Sequence, residues 1–501
     1  MYHLSGGLDA RFDTIISGNY GSVTTRCRIY SVDPSLSIDY ANEAEVINYG
    51  TLLKYYQTDT DSNGRIAQSG LKFHDYYCKE DQINIGQTVS NRIDVELIND
   101  DGAMSSFNWD YHAVFYLDLY DSANNSWLSV PLGVYLWERP KSTMGKTVSV
   151  SALDLISTLE TAEDFSIDGL DYSGGIILYD LYKDLFDGYQ NIRIDPNLTS
   201  SNMTNGSHAY YKTPCDCEGM SRRDLLAWIA QAAGSNARID RRNYLTLRYF
   251  ITATNSFGTY TFSADTTPSH IGNLQIADYD VPAITSVSAK IGQIGSNYTY
   301  GSGENVIDII DNGLFAPKAS VQGMTNAVYA RINTQFRSAY RPITAVILDG
   351  DWRLEAGDII DIVYNGQTYT MPIFEQTLEW RGGSVRQTIV SSGYAERKGQ
   401  QKQVRSAHNV SSRIYNASSQ SGIITASSVA SGSTSDISVT FDVPFNKNPI
   451  VVASIFSSQT TGMGQCSVSV YNITTTGCSI RLTNGYSSAR SLGATWIAVS
   501  Q

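Results

Sequence analysis

Between Ser221 and Phe250 the period of the apolar positions switches once, from a helical repeat to a strand alternation. Leu225, Leu226, Ile229, Ala232 and Ala233 recur at helical spacing with Trp228 on the flank of the stripe, which predicts a helix packed on one face. Ser221 offers an N-cap hydroxyl and Asp224 follows three residues later, a capping-box variant that puts an acid near the helix's positive end. Gly234 stands where a glycine stops a helix. Residues 236–239 and 244–250 then read as strands around the turn Asp240-Arg241-Arg242-Asn243. Taken alone, this capped helix and hairpin is a packing unit.

Strand-like alternation dominates elsewhere. Ile93, Val95 and Leu97 alternate with Asp94 and Glu96 before the turn Asn99-Asp100-Asp101-Gly102. Val148, Val150 and Ala152 face one way, after the run Val130 to Tyr135, and the chain then enters a short helix at Asp154. Between Leu354 and Leu378 two apolar strands flank Asn365-Gly366, a two-residue hairpin signal.

The segment from Leu225 to Asp240 reads LL.WIA.A.G.NA.ID, and this wording resembles the helix-hairpin of phage tail baseplate hub proteins. The three alternating segments follow that family's pattern too, so the resemblance covers roughly residues 1 to 398. It implies a fold that is mainly β with some α. The expected order is a first hub β-barrel region at 1–160, a helix-containing insertion with its β-hairpin at 161–280, and a second hub β-barrel region at 281–397. In such a hub two related barrels per subunit close as a homotrimer into a ring. The ring meets the distal tail or tail tube protein, and the tape measure protein and then DNA pass through it. The resemblance places the chain at a virion tail tip, assembled in the host cytoplasm.

Beyond Arg397 the composition changes. Residues 398–435 are rich in Ser, Gln, Gly and Ala, which reads as a linker or, through Ala407, Val410, Ile414 and Ala417 at spacings of 3, 4 and 3, as a short trimeric coiled coil. Residues 436–501 return to dense alternation, with five or six short strands that predict a small antiparallel β-sandwich. The runs VTFDVPFNKNPIVVAS, VSVYNITTTGCSIRL and ATWIAVS resemble the H-type lectin-like domains that end many phage tail proteins, although Cys478 stands where relatives carry an aromatic residue. That resemblance implies trimer building and binding of a host surface glycan. Tyr486 and Arg490, in the polar loop from Asn484 to Gly493, are the candidate glycan contacts, while Trp496 reads as a sandwich-core residue.

Charge narrows the function. The 501 residues carry 36 Lys and Arg against 49 Asp and Glu, a net charge of −13, which argues against a dedicated nucleic-acid binder. An acidic conduit suits DNA that must pass without specific binding, since it does the reverse of counterion-release binding. No run reaches the roughly 18 apolar residues of a membrane span, and the first residues lack a basic region followed by an apolar core.

Catalytic chemistry is not evident. The six cysteines are scattered, and Cys215-Asp216-Cys217 lacks a second pair at finger-like spacing. Cys466 is expected opposite a residue near Thr483, which leaves no direct disulfide to Cys478. The six histidines are isolated, with no HExxH. Acidic pairs such as Asp100 with Asp101 and Asp358 with Asp361 read as solvated turn or strand positions. The expectation is a structural hub with no enzyme activity, metal or cofactor; the alternatives are a tail-associated cell-wall-degrading enzyme and a host-glycan adhesin.

Overall fold

The computed structural model describes residues 1–4, 7–18, 23–53, 66–77, 83–160, 176–207, 209–210, 220–266, 270–291, 296–315, 318–335, 338–380, 384–391, 419–441, 445, 447–457 and 463–499. The chain divides into two compact units, Met1–His408 and Asn409–Gln501. The candidate coiled-coil positions Ala407, Val410, Ile414 and Ala417 lie outside the described residues.

The first unit is built on one eleven-stranded antiparallel sheet. From edge to edge its strands are Ile271–Ile276, Ile343–Leu348, Val385–Val390, Glu375–Trp380, Ile66–Tyr76, Arg92–Ile98, Thr147–Asp154, Ser126–Trp137, His112–Asp121, Thr25–Val32 and Thr51–Leu53. This corrects the expected pair of β-barrels. Strands from the early and late regions lie side by side in a single sheet, joined where Leu378 pairs with Phe73. The outermost strands do not pair with each other, and no sheet closes into a barrel among the described residues. An alternating apolar pattern is common to open and closed antiparallel sheets. Closure depends on whether the first strand meets the last, which that pattern does not encode.

The inward face of this sheet forms the main core. Phe73, Ile93, Val95, Phe115 and Val150 pack there with Trp352 and Trp380. Both indoles also satisfy their N–H groups, Trp352 on the Leu117 carbonyl at 3.1 Å and Trp380 on the Thr25 hydroxyl at 3.0 Å. Smaller sheets and helices complete the unit. The helix Lys318–Gln335 lies against the strands Ser286–Ile291 and Ser296–Gly301. The hairpin Asp358–Tyr364 and Gln367–Pro372 turns through Asn365 and Gly366, both at positive φ, and takes parallel partners in Ile251–Thr252 and Thr261–Ser263. The mixture of α and β structure therefore includes parallel pairings that the local sequence pattern does not reveal.

The second unit is an antiparallel β-sandwich of two three-stranded sheets. One sheet orders Ser419–Val429, Arg490–Val499 and Ile450–Ser457; the other orders Thr434–Thr440, Gly477–Asn484 and Cys466–Tyr471. Its core contains Val439, Phe441, Phe445, Cys478, Ile480, Leu482 and Leu492, with Trp496 partly buried against it. The first strand, Ser419–Val429, falls inside the Ser-rich stretch that reads as linker. Cys466 pairs with Asn484 and Cys478 with Val439, so no disulfide joins the two.

No helix among the described residues is long and apolar enough to cross a membrane.

Candidate functional site

In the first unit the helix Arg222–Ala232 and the hairpin behind it fix a buried charged cluster. Ser221 Oγ accepts from Asp224 N at 3.1 Å, and the Asp224 carboxylate accepts from Ser221 N at 3.2 Å, closing the capping box. Gly234 has φ +63 and donates to the Gln231 carbonyl, while Ser235 N reaches the Ala230 carbonyl, the paired bonds of a Schellman stop. Trp228 is 4% exposed. The helix thus has defined ends, and the strand Asn236–Ile239 starts where the packing requires it. That strand is buried along its whole length, including Arg238.

A buried guanidinium needs partners on every side. Arg238 Nη2 lies 2.9 Å from Asp75 on the central sheet, and its Nη1 donates to the Ala356 carbonyl at 2.8 Å. Arg241 donates to the carbonyls of Trp352 and Leu354, and Arg248 to Asp358 at 2.7 Å. The Met1 ammonium lies 2.5 Å from Asp358 and 3.7 Å from Glu355. Burial alone pushes the Glu355 carboxyl up, but the Met1 ammonium with Arg248, Arg238 and Arg241 outweighs it and holds the group well below the usual carboxylate range. Asp358, which reads as a solvated strand position, is fully buried here. A second knot surrounds Arg353, which is fully buried between Asp351 at 2.6 Å, Asp9 at 2.9 Å and Asp13.

These charges are paired with one another in the interior, so the cluster ties segments together and presents no open nucleophile. Among the described residues no three His, Cys, Asp or Glu side chains stand close enough to hold a metal ion. Cys78, Cys215, Cys217, His208 and His408 lie outside the described residues.

The candidate glycan residues sit in the sandwich, at the crossing from Gly477–Asn484 to Arg490–Val499. Asn484 organises this loop. Its side-chain amide donates to the carbonyls of Val429 at 2.8 Å and Ser488 at 2.9 Å, and its Oδ1 accepts from Tyr486 N at 3.0 Å. Gly485 fits because a Cβ there would lie 2.3 Å from the Gln465 carbonyl. Arg490 is buried, and its guanidinium lies 4.0 Å from the centre of the Tyr486 ring. The two candidate residues therefore meet, with Tyr486 half-buried over the cation. Tyr486 is half-buried, and the buried Arg490 guanidinium lies against its ring. Trp496 lies further along the same strand face as Arg490, over Gly422 and 5.8 Å from Phe441, packed against the sandwich core. Asn484 was not singled out from the sequence, although Asn-Gly at a strand end is its signal.

Residues 436–499 match the family model of the H-type lectin domain. No curated protein matches the chain. Among solved structures, a tail protein from Neisseria meningitidis MC58 is 10% identical, with 65% of this chain and 92% of that one covered and a TM-score of 0.39. The 43 kDa tail protein of prophage MuSo2 from Shewanella oneidensis is 11% identical, with 65% and 95% covered and a TM-score of 0.39. The prophage tail protein gp18 from Listeria monocytogenes EGD-e is 11% identical, with 77% and 98% covered and a TM-score of 0.39. The similarity to phage tail and baseplate proteins is distant and consistent in kind.

Proposed function

We propose that this chain is a structural protein of a phage or phage-derived tail tip, a baseplate hub component that carries a carbohydrate-binding module at its C-terminal end. The observation that carries the module is the match of residues 436–499 to the H-type lectin domain on a segment folded as a two-sheet sandwich. The hub assignment is supported by the sequence motif at Leu225 to Asp240, whose helix and hairpin supply Arg238, Arg241 and Arg248 to the interior of the first unit.

In this reading the first unit is a rigid frame and the sandwich is the recognition end. Three subunits surround the tail axis, contact the distal tail or tube protein, and let the tape measure protein and DNA pass. A net charge of −13 suits a conduit that must not retain phosphates. Tyr486, carried on the Asn484-pinned loop and backed by Arg490, contacts a host surface glycan through ring stacking and its hydroxyl. The test is glycan-array binding by the full chain. Binding that Tyr486→Ala removes supports the recognition end, and absence of binding to any host-derived glycan contradicts it.

A further inference from the structure

Asparagine is followed by glycine five times in the sequence, at Asn63, Asn205, Asn312, Asn365 and Asn484. In such a pair the glycine, lacking a Cβ, leaves the asparagine side chain open to attack by the next backbone nitrogen. Asn63 lies outside the described residues. At three of the other four, the fold holds the side-chain amide. Asn205 Nδ2 donates to the Ala232 carbonyl at 2.7 Å, and Nδ2 of the fully buried Asn312 donates to the Trp228 carbonyl and to Gln231 Oε1 at 3.0 Å each. The buried Asn484 amide is fixed on the Val429 and Ser488 carbonyls.

Asn365 differs. With Gly366 it forms the exposed turn between the strands Asp358–Tyr364 and Gln367–Pro372, and no described group holds its side-chain amide. What is held is the backbone. Asn365 N donates to Asp265 Oδ1 at 2.8 Å, and Gly366 N donates to Asp265 Oδ2 at 2.7 Å. Gly366 N is the atom that must attack the Asn365 side chain, and it must first give up its proton. A carboxylate that accepts from it keeps that proton in place and sets a negative charge beside the nitrogen anion that the attack needs.

We propose that Asn365 is a site of spontaneous deamidation and that Asp265 restrains it. In this reaction Gly366 N loses its proton and bonds to Asn365 Cγ, the Cγ–Nδ2 bond breaks, and ammonia leaves with that proton. Water then opens the cyclic imide at either carbonyl, giving aspartate or isoaspartate with no change of oxidation state. Either product puts a second carboxylate on the turn that Asp265 holds, and the like charges repel. Isoaspartate also adds a methylene to the main chain of a two-residue turn whose register pairs Tyr364 with Gln367. Deamidation therefore loosens the tie between this turn and the segment of Asp265, whose strand Thr261–Ser263 pairs with Asp358–Tyr364. No part of this rests on the tail-tip reading.

The test is peptide mapping by mass spectrometry of the full chain during incubation at mildly alkaline pH, comparing wild type with Asp265→Ala, a substitution at an exposed position. A parallel incubation in denaturant gives the rate of each pair without the fold. In the folded wild type Asn365 is expected to convert ahead of Asn205, Asn312 and Asn484, and more slowly than in denaturant. Asp265→Ala is expected to raise the rate at Asn365 by at least about fivefold, the worth of one such hydrogen bond, and to leave the other three unchanged. Isoaspartate is expected among the products, and aspartate alone overturns the imide route. Asn365 that stays intact in both folded proteins, earlier conversion at any of the other three, or a rate that Asp265→Ala leaves unchanged or lowers overturns the inference. Equal acceleration at all four pairs overturns it too, because the substitution would then act by loosening the fold as a whole.

Discussion

Arg238 and Asp75 meet at 2.9 Å in the interior of the first unit, side chains 3% and 0% exposed. One comes from the hairpin after the capped helix and the other from the centre of the large sheet. The pair ties together elements 163 residues apart in sequence, which is the difference of the two numbers. Removing one member leaves an uncompensated buried charge, so Arg238→Met should cost about 3–5 kcal/mol. Adding Asp75→Asn should recover part of that loss, because the Gln376 amide and Ala356 N–H still reach the residue. Urea unfolding of the four members of the cycle checks this; strictly additive losses would mean the two residues do not couple.

Trp228→Ala removes a large buried side chain from the helix and should cost about 3–5 kcal/mol. Ser221→Ala removes only the cap and should cost about 1 kcal/mol. Thermal melts of both variants give the comparison. Melting temperatures that stay at the wild-type value while glycan binding disappears would assign Trp228 to a recognition site in place of the core.

Two carboxyls give opposite pH responses. Burial pushes Asp154 up from 3.8 to about 6, despite donors from Ser90, Asn91 and Ile156. Its folded-state proton affinity is raised, so its contribution is fully present below pH 3.8 and is lost as the pH rises through about 6. A shift of this size corresponds to about 3 kcal/mol. Glu355 is held below its ordinary 4.5, so its contribution is present above pH 4.5 and is lost as the pH falls below that value. Asp154→Asn should flatten the stability profile between pH 4 and about 6 and Glu355→Gln should flatten it below 4.5. Denaturant midpoints across pH 3 to about 7 read both, and unchanged slopes would contradict the assignments.

The loop at Asn484 gives a prediction for recognition. Asn484→Ala leaves the Val429 and Ser488 carbonyls without their donor and releases Tyr486 N, so it should weaken glycan binding as well as stability. Tyr486→Phe keeps the ring over Arg490 and removes only the hydroxyl. A smaller loss for Phe than for Ala at position 486, measured by titration against the glycan selected on the array, separates stacking from hydrogen bonding.

The helix Arg222–Ala232 was legible because its signals are local: a cap, a 3.6-residue stripe and a glycine stop within fourteen positions. The Asn365-Gly366 turn was legible for the same reason, since both residues must take positive φ. The open sheet was not. Phe73 and Leu378 face each other across more than 300 residues, and no local pattern encodes that pairing. Asp358 reads as a surface acid because its counterions, Arg248 and the Met1 ammonium, are distant in sequence. The strand Ser419–Val429 was hidden by Ser-rich composition. Around Tyr486, the polar loop was visible in the sequence, while the burial of Arg490 beneath it required the fold.

The most direct measurement is electron cryo-microscopy of assembled particles carrying a label on this chain. The expected image places three copies around the axis at the distal end of the tail. Label on the tail shaft, on laterally projecting fibres alone, or absent from the particle would contradict the proposed function.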